Sequence, residues 1–110
     1  MANTTTITGH MVSIKLDGST DWNVAADMAD YVSTGLRVQS IFFDPALGGA
    51  QIAIENSPSI GGGAFIARFQ AAATTDQRVK YFDPPKQMWP FIDVSDGQSL
   101  ASSFVILTLE

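Results

Sequence analysis

Apolar and polar residues alternate with a period of two along most of this chain. His10, Val12, Ile14 and Leu16 share one parity. Leu36, Val38, Ser40 and Phe42 share another, with Arg37, Gln39, Ile41 and Phe43 facing the opposite way. A period of two is the signature of a β-strand with one face buried. Further strand runs are Gln51–Glu55, Ala64–Ala71, Arg78–Phe82, Met88–Val94 and Ser103–Glu110. Turn-forming clusters bound them: Asp17-Gly18, Asp44-Pro45, Gly48-Gly49, Asn56-Ser57-Pro58, Gly61-Gly62-Gly63, Asp83-Pro84-Pro85 and Asp96-Gly97. Pro90 assigns part of Met88–Val94 to an edge or a bulge, because proline has no N–H to give a ladder.

One segment breaks the alternation. Trp22, Ala25, Ala26, Met28, Ala29 and Val32 form a helical stripe, with Asp27 and Asp30 facing outward. Thr20 or Asp21 is placed to cap it, and Gly35 to close it. The pattern therefore predicts an all-β chain of seven or eight short strands, with one short helix near residues 20–32. The architecture expected is a single antiparallel β-sandwich or a jelly-roll-like barrel. Polar residues 1–6 read as a flexible N-terminal arm and residues 7–110 as the one domain. Trp22, Phe42, Phe65, Phe69, Phe82, Trp89 and Phe104 are its expected large core residues.

Length agrees with one domain, since 110 residues suffice for a core without a metal or disulfide. The absence of cysteine removes thiolate metal sites and thiol nucleophiles. A net charge of −5 and six scattered basic residues argue against direct nucleic-acid binding. No stretch approaches the roughly 18 apolar residues of a membrane span, and the first residues lack the pattern of a signal peptide. Charged residues make up only 15% of the chain, against about 25% in an ordinary soluble domain. So sparse a charge points to surface covered in an assembly.

Candidate chemistry is thin. His10 is the sole imidazole and has no Ser or Asp placed beside it by a motif. Asp93-Val94-Ser95-Asp96-Gly97 approaches a calcium loop, with Asp93 and Asp96 as possible ligands. Glycine nevertheless falls at the fifth position and Phe104 at the twelfth, which breaks the EF-hand pattern. Gly61-Gly62-Gly63 lacks the Lys-Ser or Lys-Thr of a phosphate loop. No catalytic, cofactor-binding or metal-ligating residue is expected, so the chain reads as a non-enzyme. Tyr81, Trp89 and Phe91 are the candidate sugar-stacking platform of an alternative carbohydrate-binding reading.

The arm Ala2-Asn3-Thr4-Thr5-Thr6, the segments LRVQSIFFDPA and KYFDPPKQMWPFIDVSDG, and the last strand SSFVILTLE resemble small structural proteins of tailed bacteriophages. The likeness is greatest to capsid decoration (cement) proteins. It implies a virion protein on the outer capsid surface, made in the host cytoplasm, that stabilises the head by binding the major capsid protein. It also implies a homotrimer or other small homo-oligomer, with a neck or tail component as the nearby variant. The interface residues expected on this reading are Asn3, Thr4, Thr5, Thr6, Trp89 and Phe91.

Overall fold

The computed structural model describes residues 3–28, 35–57, 64–94 and 97–110. Its strands are β1 (Thr4–Thr8), β2 (Met11–Lys15), β3 (Trp22–Asn23), β4 (Leu36–Asp44), β5 (Gln51–Asn56), β6 (Ala64–Gln70), β7 (Arg78–Met88), β8 (Pro90–Ile92) and β9 (Phe104–Leu109). A single helical turn, α1 (Val24–Asp27), follows β3. The strands form two antiparallel sheets, in the orders β1-β2-β9-β4-β7 and β3-β8-β5-β6.

The order has a simple logic. β2 pairs with β9, β3 with β8, β4 with β7 and β5 with β6. These are nested partners, as in one long hairpin folded between β5 and β6. Successive pairs fall alternately into the two sheets, and the cross-links β4–β9 and β5–β8 complete each one. Nested pairs rolled in this way are the double Greek key of a jelly roll. The chain is thus an all-β sandwich of this topology, with β1 added outside β2.

β1 and β2 form a hairpin with the two-residue loop Gly9-His10, closed by the pair Thr8 and Met11. Gly9 adopts φ +59°, the left-handed value that the first position of a II′ turn requires. Residues 3–6, expected as a loose arm, are therefore in or beside a strand. Thr4, Thr5 and Thr6 match Lys15, Ile14 and Ser13.

The core lies between the sheets. From the five-stranded sheet it takes Val12, Ile14, Val38, Ile41, Phe43, Val105 and Leu107; from the other, Trp22, Ile52, Ile54 and Ile92. Phe43 and Phe69 stack across the gap with ring centroids 6.1 Å apart. The single parity expected along β4 does not hold. Gln39 sits in a bulge against β9, where Val38 faces Leu109 and Ser40 faces Thr108. One extra residue reverses the side chains beyond it. Ile41 and Phe43 consequently point inward with Val38, while Ser40 and Phe42 turn outward.

Other expectations change for local reasons. β7 does not stop at Asp83-Pro84-Pro85. Residues 82–85 loop out opposite Gln39, and pairing resumes at Lys86 with Val38. β7 is an edge strand, where missing proline N–H groups cost no ladder bond. Pro90 begins an interior strand instead of marking an edge, because the first residue of a strand tolerates proline. Among the described residues the expected helix is a single turn. Its cap is Asn23, whose side chain accepts from Ala26 N, and not Thr20 or Asp21. Asp21 instead accepts from Val94 N. Ala29, Asp30 and Val32 lie outside the described residues, as do Gly61-Gly62-Gly63. Among the expected core aromatics, Phe65 is 53% exposed, and Phe42 and Phe104 are only half-buried.

Inward and outward positions of one strand pair should behave differently. Leu107→Ala, at a fully buried position, is expected to cost about 2–5 kcal/mol. Met11→Ala, on the outer face of the adjacent strand, should cost less than about 1 kcal/mol. Urea denaturation at constant m-value checks both.

Candidate functional site: the outer face of the five-stranded sheet

Cross-strand registers line up the outward side chains of the larger sheet in rows. One row runs Thr8, Met11, Thr108, Ser40, Tyr81. The next runs Thr6, Ser13, Ile106, Phe42, Val79. A third runs Thr4, Lys15, Phe104, Asp44. The first two rows contain no charged residue. They combine hydroxyls on β1 and β2 with an apolar band from Met11 through Ile106 and Phe42 to Val79 and Tyr81. Tyr81 is 73% exposed, Met11 46% and Val79 45%. Among the described residues charge appears at the two margins, as Lys15 and Asp44 at one and as the exposed Arg37–Glu110 ion pair, 2.8 Å, at the other.

The opposite face of the same strands explains this composition. There Val12, Leu107, Ile41, Ile14, Val105 and Phe43 fill the core; their rows begin on β1 at the exposed Ile7 and the part-buried Thr5 and end at the β7 edge in Lys80 and Arg78. The Lys80 ammonium donates to Ile66 O of β6 at 2.8 Å and so joins the edges of the two sheets. Arg78 pairs with Asp76 at 2.8 Å. Arg78 and Lys80 thus point toward the sandwich edge and leave Val79 and Tyr81 on the outer face.

Five strands at ~4.8 Å spacing and the two uncharged rows at ~6.8 Å give a charge-free face on the order of 300 Å². A patch of this size is often functional. It is smaller than the ~800 Å² that each partner contributes to a standard stable interface.

The N-terminal candidates border this face and are tied down. Trp22, fully buried, donates its indole N–H to Thr5 Oγ1 at 2.9 Å. Asn3 accepts from Asp17 N and donates to Thr20 O, which fastens the start of β1 to the turn after β2. Asp17 accepts from Ser19 N, Thr20 N and the Thr20 hydroxyl, and these bonds, that of Ser19 foremost, lower its pKa. Asp76 is lowered by the Arg78 side-chain hydrogen bond first, then by Ala72 N. Thr4 and Thr6 point outward on the face; Thr5 and Asn3 serve as anchors.

The other candidates fall elsewhere. Trp89 is half-buried against the core between β7 and β8, and its backbone N–H donates to Asn56 Oδ1. Gly35 fits beneath its ring at φ +79°, where a Cβ would come within 2.7 Å of Met88 O. Phe91 is 2% exposed, paired with Glu55 and Asn23 in the smaller sheet. It cannot offer a surface, so Tyr81, Trp89 and Phe91 make no common stacking platform. His10 sits exposed in the β1–β2 turn, where its carbonyl accepts from Leu109 N. Asp93 is buried, with its N–H on Ala53 O; Asp96 lies outside the described residues. Among the described residues no three His, Cys, Asp or Glu side chains gather as metal ligands. No described helix is long and apolar enough to cross a membrane. The face itself was missed at the sequence level because the Gln39 bulge hides the outward parity of Phe42.

The chain matches no known family model, no curated protein and no solved structure.

Two measurements test the anchoring. Thr5→Val leaves the Trp22 indole N–H buried without its acceptor and should cost about 1–3 kcal/mol in denaturant titration. Asp17 and Asp76 have folded pKa values below the ordinary 3.8. Their stabilisation is therefore present above pH 3.8 and lost as pH falls through the lowered folded values. Asp17→Asn combined with Asp76→Asn should flatten the acid limb of a melting-temperature profile.

Proposed function

We propose that this chain is a non-enzymatic structural protein of a phage-like virion, acting as a capsid decoration protein. It binds the major capsid protein on the outer surface of the head and associates as a homotrimer or other small homo-oligomer. The observation that carries the reading is the pair of charge-free rows on the outer face of the five-stranded sheet. A monomer working alone in water gains nothing from ten adjacent uncharged positions with Met11, Phe42, Val79, Tyr81 and Ile106 among them. A subunit that covers them gains apolar burial at about 25 cal/mol per Å².

The size of the face favours an assembly over a simple dimer. At less than half the ~800 Å² that each partner usually contributes to a stable pair, it binds weakly by itself. Repeated around an oligomer and over a shell, weak contacts act together, because each later contact forms at high effective concentration. Such a protein reinforces a container by adding contacts that must break before the shell opens. The jelly roll is common in capsid proteins, and equally in lectins and cupins, so the fold supports the reading without selecting it. The virion assignment rests on the likeness of the arm, the two FDP-containing segments and the last strand to phage head proteins. The alternative of a sugar-binding module with Tyr81, Trp89 and Phe91 as its platform loses support from the burial of Phe91.

Size-exclusion chromatography with light scattering tests the proposal. The wild-type chain should elute as an oligomer. Ile106→Lys should shift it to monomer with little change in melting temperature, since the side chain is outside the core. An antibody to the chain should label intact particles purified from the source. A strict monomer at every concentration, with no particle labelling, would sink the reading.

A further inference from the structure

A second surface, on the opposite sheet, carries a different chemistry. A cleft of about 240 Å³ opens along β5 and β6, lined by Gln51, Ile52, Arg68, Phe69 and Gln70. Ile52 and Phe69 direct their side chains to the core. Gln51 and Gln70 are cross-strand partners, and Arg68 is two residues before Gln70. All three therefore stand on the outer face of the four-stranded sheet. Gln98, bridged to Gln51 from the other side, extends the same row.

Among the described residues none of these four side chains has a hydrogen bond or an ion pair. The Arg68 guanidinium carbon lies 4.8 Å from the centroid of the Phe65 ring, which is itself 53% exposed. Stacking on an aromatic ring restrains the guanidinium and leaves its N–H fork free for a ligand. Among the described residues Arg68 is the one charged residue lining the cleft. Glu55, paired with Phe65 further along β5, is buried and engaged in an interaction of its own.

The geometry points to a binding site for one carboxylated sugar residue. A single guanidinium matches one carboxylate through two parallel hydrogen bonds. Each glutamine amide offers two donors and an acceptor, which is what vicinal ring hydroxyls require. The volume is below the ~300–1,000 Å³ of pockets that enclose larger ligands, so it takes one ring of a glycan and leaves the rest in solvent. Phosphate-rich ligands call for clustered cations, and the described lining of this cleft has one. The site is on the sheet opposite the assembly face, and its occupancy does not depend on that reading.

The test is a ¹⁵N NMR titration of the full chain with glucuronate, using glucose and acetate as controls. Saturable shifts are expected at the Gln51 and Gln70 side-chain amides and the Arg68 Nε–H. Glucuronate should bind at least about tenfold more tightly than either control, a difference of roughly 1.4 kcal/mol. Arg68→Gln should abolish the response with the rest of the spectrum unchanged, and Arg68→Lys should restore it only in part. Gln70→Ala should weaken glucuronate while leaving acetate unaffected. Acetate binding as well as glucuronate, a response that survives Arg68→Gln, or no shift at all with glucuronate would each overturn the site.

Discussion

The whole molecule depends on nested antiparallel pairing. A strand whose side chains leave water must still give every backbone N–H and C=O a partner. Here each strand finds its partner at the mirror position of one long hairpin, and alternate pairs fold to opposite sheets. Pairing and burial are thus solved by a single operation. β5 shows the result most plainly: it is bonded to β6 on one side and β8 on the other, with Ile52, Ala53, Ile54 and Glu55 all buried. Without the β4–β9 and β5–β8 cross-links the nested pairs would remain a floppy ribbon, with no surface to pack against.

The same pairing distributes chemistry between the faces. Once Val12, Ile14, Leu107 and Phe43 are committed inward, the intervening positions have to face out. Their composition is then free to serve something other than folding. On the larger sheet those positions are hydroxylic or apolar and carry no charge in two full rows. On the smaller sheet they hold Gln51, Gln70 and Arg68 around a cleft, with Gln98 bridged beside Gln51. One sheet is suited to covering by protein, the other to hydrogen bonding with a small polar group. The edges separate the two: Lys80 spans β7 to β6, and Asn3 with Trp22 fixes β1 against the turn after β2.

Much of this was legible from the order of residues. The alternation in Val12-Ser13-Ile14-Lys15-Leu16 requires a half-buried strand, and the buried parity is the one observed. Strands β5, β6 and β9 fall within a residue of their expected limits because apolar runs and turn formers are both local signals. The helical stripe from Trp22 misled because its spacing fits a helix, while Trp22 and Asn23 pair with Ile92 and Phe91 at long range. The threonine arm looked unstructured because β1 has little apolar content of its own; its order comes from β2 and from the Trp22 indole. Tyr81, Trp89 and Phe91 looked like one platform since they are close in sequence. The β7–β8 boundary sends them to three different environments.

The sequence by itself determined the class of fold, the single domain and most of the inward residues, because period-two burial and turn chemistry act over a few positions. Only the tertiary structure decided which strands are neighbours, where the Gln39 bulge reverses the faces, and which polar residues converge. Those outcomes depend on contacts between residues far apart in the chain, such as Ser40 with Thr108 or Gln51 with Gln98. A one-residue shift in register exchanges core for surface, and no local pattern encodes where that shift will fall.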